Sequence, residues 1–243
     1  MTAKKIDLSI VVPCYNEKNN IPLVVRRFVN IKPKNLNAEL VLVDNGSTDG
    51  SKKIMEKFSS KHQFIKIVDV KKNIGYGFGV WSGLQKAKGE YLCWTHADMQ
   101  TDLSDAIKAY DTVMQQKNPK KCFVKGNRKK RDLFDSLFTF GMSLFETAML
   151  RKYLYDINAQ PNLFHREFLK CIKNAPNDFS FDLYFYYMAK KMNYNVIRFP
   201  VIFRKRVHGQ SSWNTGLMSK WKFIKRTIGF TFNMKKSLGD GND

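Results

Sequence analysis

The sequence predicts an α/β fold, a mostly parallel sheet flanked by helices, and three observations carry that expectation. In the first half of the chain, short apolar runs rich in β-branched residues alternate with segments whose apolar residues recur at helical spacing. That is the pattern of βαβ crossovers. Each apolar run closes on polar turn residues, and in open parallel sheets ligands bind beyond the carboxyl ends of the strands. Finally, 43% hydrophobic and 14% aromatic residues in a chain of 243 suffice to bury a sizeable core. This excludes intrinsic disorder in spite of the charge.

Taken in order, Leu8–Tyr15 (LSIVVPCY) reads as a first strand and Asn20–Ile31 as a helix, with Asn19 or Asn20 at its N-cap. Ala38–Gly50 is a buried strand ending in a turn, followed by a helix over Ser51–Ser60 and a strand over Phe64–Val70. A helix over Phe78–Lys88, a strand over Glu90–Asp98 and a helix over Leu103–Gln116 complete the regular half. Beyond it, Leu133–Leu150 and Phe179–Met192 read as helices and Asn195–Arg206 as a strand, with residues 237–243 a frayed tail. No repeat or low-complexity linker interrupts the chain. The expected organisation is one domain through residue 216 and a basic amphipathic segment over 217–243.

Lys and Arg number 42 against 21 Asp and Glu, a formal net charge of +21. The excess collects in Lys117–Arg131, Arg204–Arg206 and Lys220–Lys236. Nucleic acid, an anionic membrane surface or a phosphorylated substrate would each suit it, and any single run also reads as a solvated face. The four cysteines (Cys14, Cys93, Cys122, Cys171) are scattered without a CxxC pair, which argues against structural zinc and a disulfide framework. No apolar run reaches the roughly 18–20 residues that span a bilayer. The apolar stretch that runs into Pro13 is too short for a signal peptide.

Three polar clusters at strand ends carry the chemistry. In Asp44-Asn45-Gly46-Ser47-Thr48-Asp49-Gly50, a carboxylate directly after an apolar strand can accept hydrogen bonds from a base or ribose, and Ser47 can cap the next helix. The same string is also a good turn. In Thr95-His96-Ala97-Asp98-Met99-Gln100, Asp98 and Gln100 offer oxygen donors two residues apart, suited to a hard divalent cation that also binds phosphates. His96 supplies either a nitrogen ligand or a hydrogen bond. In Arg204–Trp213, arginine forks match phosphate geometry, Gly209 lets a loop close over a ligand, and Ser211 and Ser212 offer hydroxyl groups.

Together these segments resemble the family 2 glycosyltransferases of the GT-A fold. Within them they resemble the polyprenyl-phosphate sugar transferases of the dolichol-phosphate mannose synthase type. Val12-Pro13-Cys14-Tyr15-Asn16-Glu17 is similar to the family's first strand end, at the nucleotide base, and Val43–Gly50 to its second. Asn73, Gly75, Gly83, Ala87 and Gly89 fall in its Asn-x-Gly … Gly … Ala-x-Gly pattern. His96–Gln100 stands where the family has Asp-Ala-Asp-Leu-Gln, Gly126-Asn127-Arg128 where it has Gly-Ser-Arg, and Arg206-x-x-Gly209-x-Ser211 where a loop closes over the pyrophosphate. The departures are His96 for the first metal-motif aspartate, an acidic and apolar Asp132–Phe138, and Ala159–Phe164 in place of Ser-Gly-Phe/Tyr-Arg.

The resemblance implies an inverting transfer from a UDP- or GDP-sugar, with Mg2+ or Mn2+ as cofactor. It places donor binding at Pro13, Tyr15, Glu17, Asp44, Asn45, Ser47, Asn73, Gly75, Ala97, Asp98, Arg206 and Ser211. The metal falls to Asp98, Gln100 and His96, the acceptor to Arg128 and Gln160, and catalysis to Asp98, Arg206 and Asp182. Asp182 is either a catalytic carboxylate or a helix N-terminal one favoured by the dipole. The expected acceptor is a polyprenyl phosphate, with a soluble glycan or protein acceptor as the alternative. Basic residues around Trp221, Ile224, Ile228 and Phe232, and the apolar Phe134, Leu137, Phe138, Phe140, Leu144 and Phe145, suit interfacial helices on the anionic cytoplasmic leaflet. A homodimer is compatible with the same faces. Nucleic-acid binding, the reading from a different class, is opposed by Asp44, Asp49 and Asp98 at one sheet edge.

Overall fold

The computed structural model describes residues 5–129, 133–209 and 217–239. One seven-stranded sheet organises them in the order β3-β2-β1-β4-β6-β5-β7. Its strands are β1 (Leu8–Cys14), β2 (Ala38–Asn45), β3 (Ile65–Val70), β4 (Tyr91–Trp94), β5 (Cys122–Lys129), β6 (Asn162–His165) and β7 (Asn195–Ile202). β1 pairs in parallel with β2 and β4, β2 with β3, and β5 with β7. β6 alone runs the other way, antiparallel to β4 and β5. The fold is therefore the expected mostly parallel α/β sheet, with one reversed strand inserted near its middle.

β1, β2 and β4 are buried on both faces, as parallel strands covered by crossover helices are, while the edge strand β3 is half-exposed. Leu40 and Leu42 of β2 pack toward α1 (Ile21–Ile31), α2 (Ser51–Lys61) and α4 (Ser104–Met114). Val41 and Val43 pack toward α3 (Tyr76–Lys86) and α6 (Ser180–Lys191). Trp94, the last residue of β4, sits on the second side with Phe123, Phe164, Phe181 and Phe185 around it, ring centroids 5.2 to 6.4 Å away. A smaller cluster of Leu150, Leu154, Leu183, Tyr186 and Met234 forms where α5 (Leu133–Leu150) and α7 (Leu217–Gly239) meet α6.

Several local expectations change. β5 lies inside Lys117–Arg131, which reads from sequence as a basic surface run, and Lys125 within it is fully buried. β6 occupies the segment that departs from the family pattern. β7 stops at Ile202 rather than at Arg206. Asn20 precedes α1 without capping it, because its amide donates to the Glu17 carboxylate and the His208 carbonyl. Ser47 does not cap α2, which starts after Gly50, a glycine at φ +89°.

Gly126 is required by the insertion of β6. A Cβ there would lie 2.0 Å from the Gln160 carbonyl oxygen, backbone that cannot step aside. Gly126→Ala is expected to cost about 1–3 kcal/mol, the range for overpacking a well-packed interior. A urea melt should show the midpoint lowered with the slope unchanged, and an unaltered midpoint would contradict this packing.

Candidate active site

β1, β2 and β4 end on the same edge of the sheet, and a cavity of about 570 Å3 opens there. The loops after β1 and β2 are pinned to each other. Asn16 donates its backbone N–H to Ser47 Oγ at 3.1 Å, Thr48 donates to Asn16 Oδ1 at 2.8 Å, and Glu17 donates to Ser51 Oγ at 2.9 Å. Asp49 accepts from the backbone of Lys18 and Ser51. Asp49 and Ser47 thus shape the rim, and Asp44 is buried, accepting from the Ser47 N–H at 3.0 Å.

Pro13, Tyr15 and Glu17 line the cavity from the β1 side, Asn45 from β2, and Asn73 and Gly75 from the turn before α3. Asn45 donates to the Gly75 carbonyl at 3.0 Å and ties those two sides together. Burial, with Asp98 and Asp49 nearby, raises the Glu17 carboxyl above its ordinary value, against the pull of Asn20 and Arg206. Asp44 and Ser47, expected at the nucleotide, stand behind this lining. Ser211 lies outside the described residues.

At the end of β4 the chain turns through Met99, at φ +59°, and presents Asp98 to the cavity. Asp98 Oδ2 meets Arg206 Nη2 at 3.0 Å, and Asp98 Oδ1 accepts the Gln100 N–H at 3.1 Å. Gln100 Oε1 accepts from Arg206 Nε at 3.2 Å, while its Nε2 donates to the Arg204 carbonyl at 3.2 Å. The sequence places His96–Gln100 and Arg206 of the Arg204–Trp213 cluster on one ligand, and the structure laces Asp98, Gln100 and Arg206 together. Ala97 and His96 also line the cavity, and the His96 ring stacks on Tyr76, centroids 5.3 Å apart. Tyr76 in turn stacks on Phe179 at 4.9 Å, and the Arg226 guanidinium of α7 lies over Phe179 at 5.4 Å.

The far wall holds Asp182, Gln160 and Arg128. Asp182 Oδ1 accepts three donors: Gln160 Nε2 at 2.8 Å, Trp94 Nε1 at 3.2 Å and Asn162 Nδ2 at 3.2 Å. Gln160 also donates to the Tyr76 hydroxyl at 3.3 Å. Burial, together with the Asp182 charge, pushes that hydroxyl well above its usual range. Arg128 lines the cavity but its guanidinium is engaged by the buried Asp156, through Nε at 2.8 Å and through a second contact from Nη2. Burial works against ionisation of Asp156, yet Arg128, and more weakly Arg198, hold its carboxyl below the usual value.

Among the described residues no group of three or more His, Cys, Asp and Glu side chains could hold a metal ion. Asp98 is a single hard donor opening on the cavity. That fits a cation carried largely by substrate phosphates and water, as Mg2+ is in nucleotide sites. His96, held by its stacking on Tyr76, and Gln100, held by Arg206, are its neighbours. The sequence alone does not single out Tyr76, Phe179 and Asn162. Their signal was adjacency alone: Tyr76 follows the Asn-x-Gly turn and Phe179 opens the helix that carries Asp182.

Residues 9–118 match the family model described as glycosyl transferase family 2. Over this segment the chain is similar to the family 2 glycosyltransferases. Among curated relatives, dolichyl-phosphate beta-glucosyltransferase of Dictyostelium discoideum is 26% identical over 207 residues, 77% of this chain and 63% of that protein. Dolichol-phosphate mannosyltransferase of Saccharomyces cerevisiae is 32% identical over 44% of this chain and 41% of that protein. These matches span less than two thirds of the relatives' own lengths. Among solved structures, glucosyl-3-phosphoglycerate synthase from Mycobacterium tuberculosis, in complex with Mn2+, UDP and glucosyl-3-phosphoglycerate, superimposes with a TM-score of 0.71. It covers 95% of this chain and 80% of that one at 16% identity. Mannosyltransferase PcManGT from Pyrobaculum calidifontis, in complex with GDP-Man and Mn2+, gives 0.64 at 20% identity, covering 86% of this chain and 59% of that one. The glycosyltransferase fold of this chain is GT-A.

Arg128 gives the site a structural test. Arg128→Met strands the buried Asp156 carboxylate, for which removing one partner of a buried pair costs about 3–5 kcal/mol. Arg198, 3.8 Å from Asp156, should hold the loss to the low end. Because the Asp156 carboxyl is lowered in the fold, its stabilising contribution is present near neutrality and lost as pH falls through the folded value. The variant should therefore lose most in urea melts near neutral pH and approach wild type in acid. A constant deficit at all pH values would contradict the pairing.

Proposed function

We propose that this protein is an inverting glycosyltransferase that moves a sugar from a nucleoside-diphosphate sugar to a polyprenyl phosphate at an anionic membrane surface. The observation that carries this reading is the Asp98–Gln100–Arg206 lacing at the carboxyl edge of the sheet. One carboxylate and one guanidinium there face a single cavity. That pairing suits a diphosphate accompanied by a divalent cation. The names of the relatives, which specify dolichyl-phosphate glucosyl and dolichol-phosphate mannosyl transfer, support a polyprenyl-phosphate acceptor.

In this reading the nucleoside sits against Pro13, Tyr15, Glu17 and Asn45, with the diphosphate between Asp98 and Arg206. Asp98 would hold Mg2+ or Mn2+, with His96 and Gln100 beside it, and the bound cation would offset charge developing on the leaving diphosphate. Arg206 supplies a fixed positive charge to the same oxygens and costs no reorganisation as the bond breaks. The acceptor phosphate oxygen forms the new bond to the anomeric carbon on the face opposite the leaving oxygen. The bond from that carbon to the nucleoside diphosphate breaks, and the electron pair leaves with the diphosphate. A phosphate acceptor is already ionised and needs no base. Asp182 is then a hydrogen-bond acceptor for sugar hydroxyls, and it becomes the base only for a hydroxyl acceptor.

Asp98→Ala should reduce transfer by at least about 100-fold, the scale for loss of one preorganised electrostatic contact. It should also abolish the thermal shift given by a nucleotide sugar with Mn2+. Arg206→Ala should cost more than about tenfold and Arg206→Lys less, because the lysine keeps the charge and loses the fork. Wild-type turnover in Asp98→Ala at saturating Mn2+ would remove the assignment.

The membrane arm rests on α5 and α7. Phe140 and Leu144 of α5 and Trp221 and Phe232 of α7 are more than half exposed, with Lys225, Lys235 and Lys236 exposed beside them on α7. No helix among the described residues is long and apolar enough to cross a membrane. Arg226 is exposed and pairs with Asp178 at 3.1 Å, so its charge is already met by a carboxylate. The side chains of Phe134, Leu137, Phe138 and Lys222 lie outside the described set. Each basic residue near an anionic leaflet contributes about 1 kcal/mol, so neutralising Lys225, Lys235 and Lys236 should weaken liposome binding by about two orders of magnitude. Co-sedimentation should require anionic lipid and weaken with salt. No sedimentation at low salt would favour a soluble acceptor.

A further inference from the structure

Lys125 is the one lysine among the described residues with no solvent exposure at all. It lies on β5 and faces the layer of α6, away from the basic surface its sequence neighbours suggest. Its ammonium donates to the Ala159 carbonyl at 2.9 Å and to Asn162 Oδ1 at 2.7 Å, with the Tyr186 ring 5.6 Å away. The charged groups around it are Asp182 on α6, Arg198 on β7, Asp156 ahead of β6, and Arg128 on β5 itself. A buried ammonium is expensive, and an apolar residue would fill the same place at lower cost.

The geometry gives this charge a consequence. An ammonium only donates, so the amide of Asn162 must turn its oxygen toward Lys125. Its Nδ2 is thereby turned to Asp182 Oδ1, at 3.2 Å, and to Gln160 Oε1, at 2.7 Å. With its oxygen so occupied, Gln160 must in turn present Nε2 to Asp182, at 2.8 Å, and to the Tyr76 hydroxyl. One donor-only group therefore sets the sense of two amides, and both deliver N–H groups to one carboxylate in the cavity wall.

We propose that Lys125 is a positioning residue that holds the Asp182 carboxylate oriented at the cavity wall, acting through Asn162 and Gln160. This rests on the proposed function only for what Asp182 then does. The arrangement itself is independent of donor and acceptor. Burial also lowers the Lys125 ammonium to about 7, so the positive charge behind Asp182 is present in mild acid and lost as pH rises through that value. The fold, which disfavours the charged lysine, is relieved of that cost over the same rise, up to the ordinary lysine value of about 10.4.

The experiment is an NMR titration of the Trp94 indole N–H, which donates to the same Asp182 oxygen. The chain has four tryptophans, so the resonance is assignable by single substitution. In wild type it should shift between about pH 6 and about pH 8 with a midpoint near 7, and in Lys125→Met the shift should vanish. A flat wild-type titration overturns the proposal without any variant having to fold. A titration that persists in Lys125→Met would belong to another group and would overturn it as well. In a transfer assay, Lys125→Met should lower kcat at least about tenfold, with KM for the nucleotide sugar within about twofold, since the donor contacts lie at the Asp98 end. A uniform loss in both constants, or no loss, speaks against positioning. Should no nucleotide sugar bind the wild type, the proposed function fails while the Trp94 titration still decides the role of Lys125.

Discussion

Asp182 is 2% exposed and sits between the aromatic core and the cavity. A carboxylate there survives only if its oxygens are met by donors. Those donors come from three elements: Trp94 from the end of β4, Asn162 from β6, and Gln160 from the turn just before β6. For Gln160 and Asn162 to reach it, a strand must return between β4 and β5 in the reverse direction. That is why the sheet carries one antiparallel strand in an otherwise parallel order. It is also why residue 126 has no room for a side chain, since β5 must pass against the Gln160 carbonyl. The satisfaction of one buried charge thus links the aromatic core around Trp94, the reversed strand and the far wall of the site.

The remaining electrostatics divide along the cavity. At the β1 and β4 ends, Glu17, Asp98 and Arg206 share one neighbourhood, and the fold leaves them partly unresolved. Glu17 is raised by burial and by Asp98, while Asp98 relies on Arg206. Such a cluster is improved by a ligand that brings both negative oxygens for the arginine and a cation for the carboxylates. At the opposite wall, Arg128 and Asp156 neutralise each other in the interior. A charge of +21 therefore does not describe the site. Its arginines and Lys125 are largely committed to internal partners, and the uncommitted excess lies on surfaces such as α7.

The regular half of the fold was legible because its physics is local. Alternating apolar runs and helical spacing predict β1 to β4 and α1 to α4, and polar residues at strand ends predict the cavity edge. Asp98, Arg206, Glu17, Asn45 and Asn73 could be named for that reason, together with their place in the family pattern. The second half was less legible because its order depends on distant pairing. β5 reads as a basic run until β6 and β7 flank it, and Lys125 reads as a surface residue until Asn162 and Ala159 receive its hydrogens. Asp44 and Ser47 show the opposite limit. Asp44 is buried and accepts the Ser47 N–H, and Ser47 holds the rim, so both build the turn rather than the cavity lining. Gln100 was expected as a metal ligand and is first of all a strut, fixed between Arg206 and the Arg204 carbonyl.

The last step joins the two ends of the molecule. α7 packs on α5 through Thr231, whose hydroxyl donates to Glu146 at 2.7 Å, and through Met234 in the third cluster. Glu146 is fully buried, and burial raises its carboxyl to about 7. Burying Glu146 therefore costs nothing below the ordinary carboxylate value and costs progressively more as pH rises through 7, with the Thr231 hydrogen bond working against that cost. α7 is also held by Arg226, which spans Asp178 and the Phe179 ring. An exposed pair of this kind contributes about 0–1 kcal/mol. Phe179 is the outer member of the stack that runs through Tyr76 to His96, next to Asp98. The helix with the exposed Trp221 and Phe232 is thus in contact with the loop that carries Asp98 through the Arg226 guanidinium and three aromatic rings.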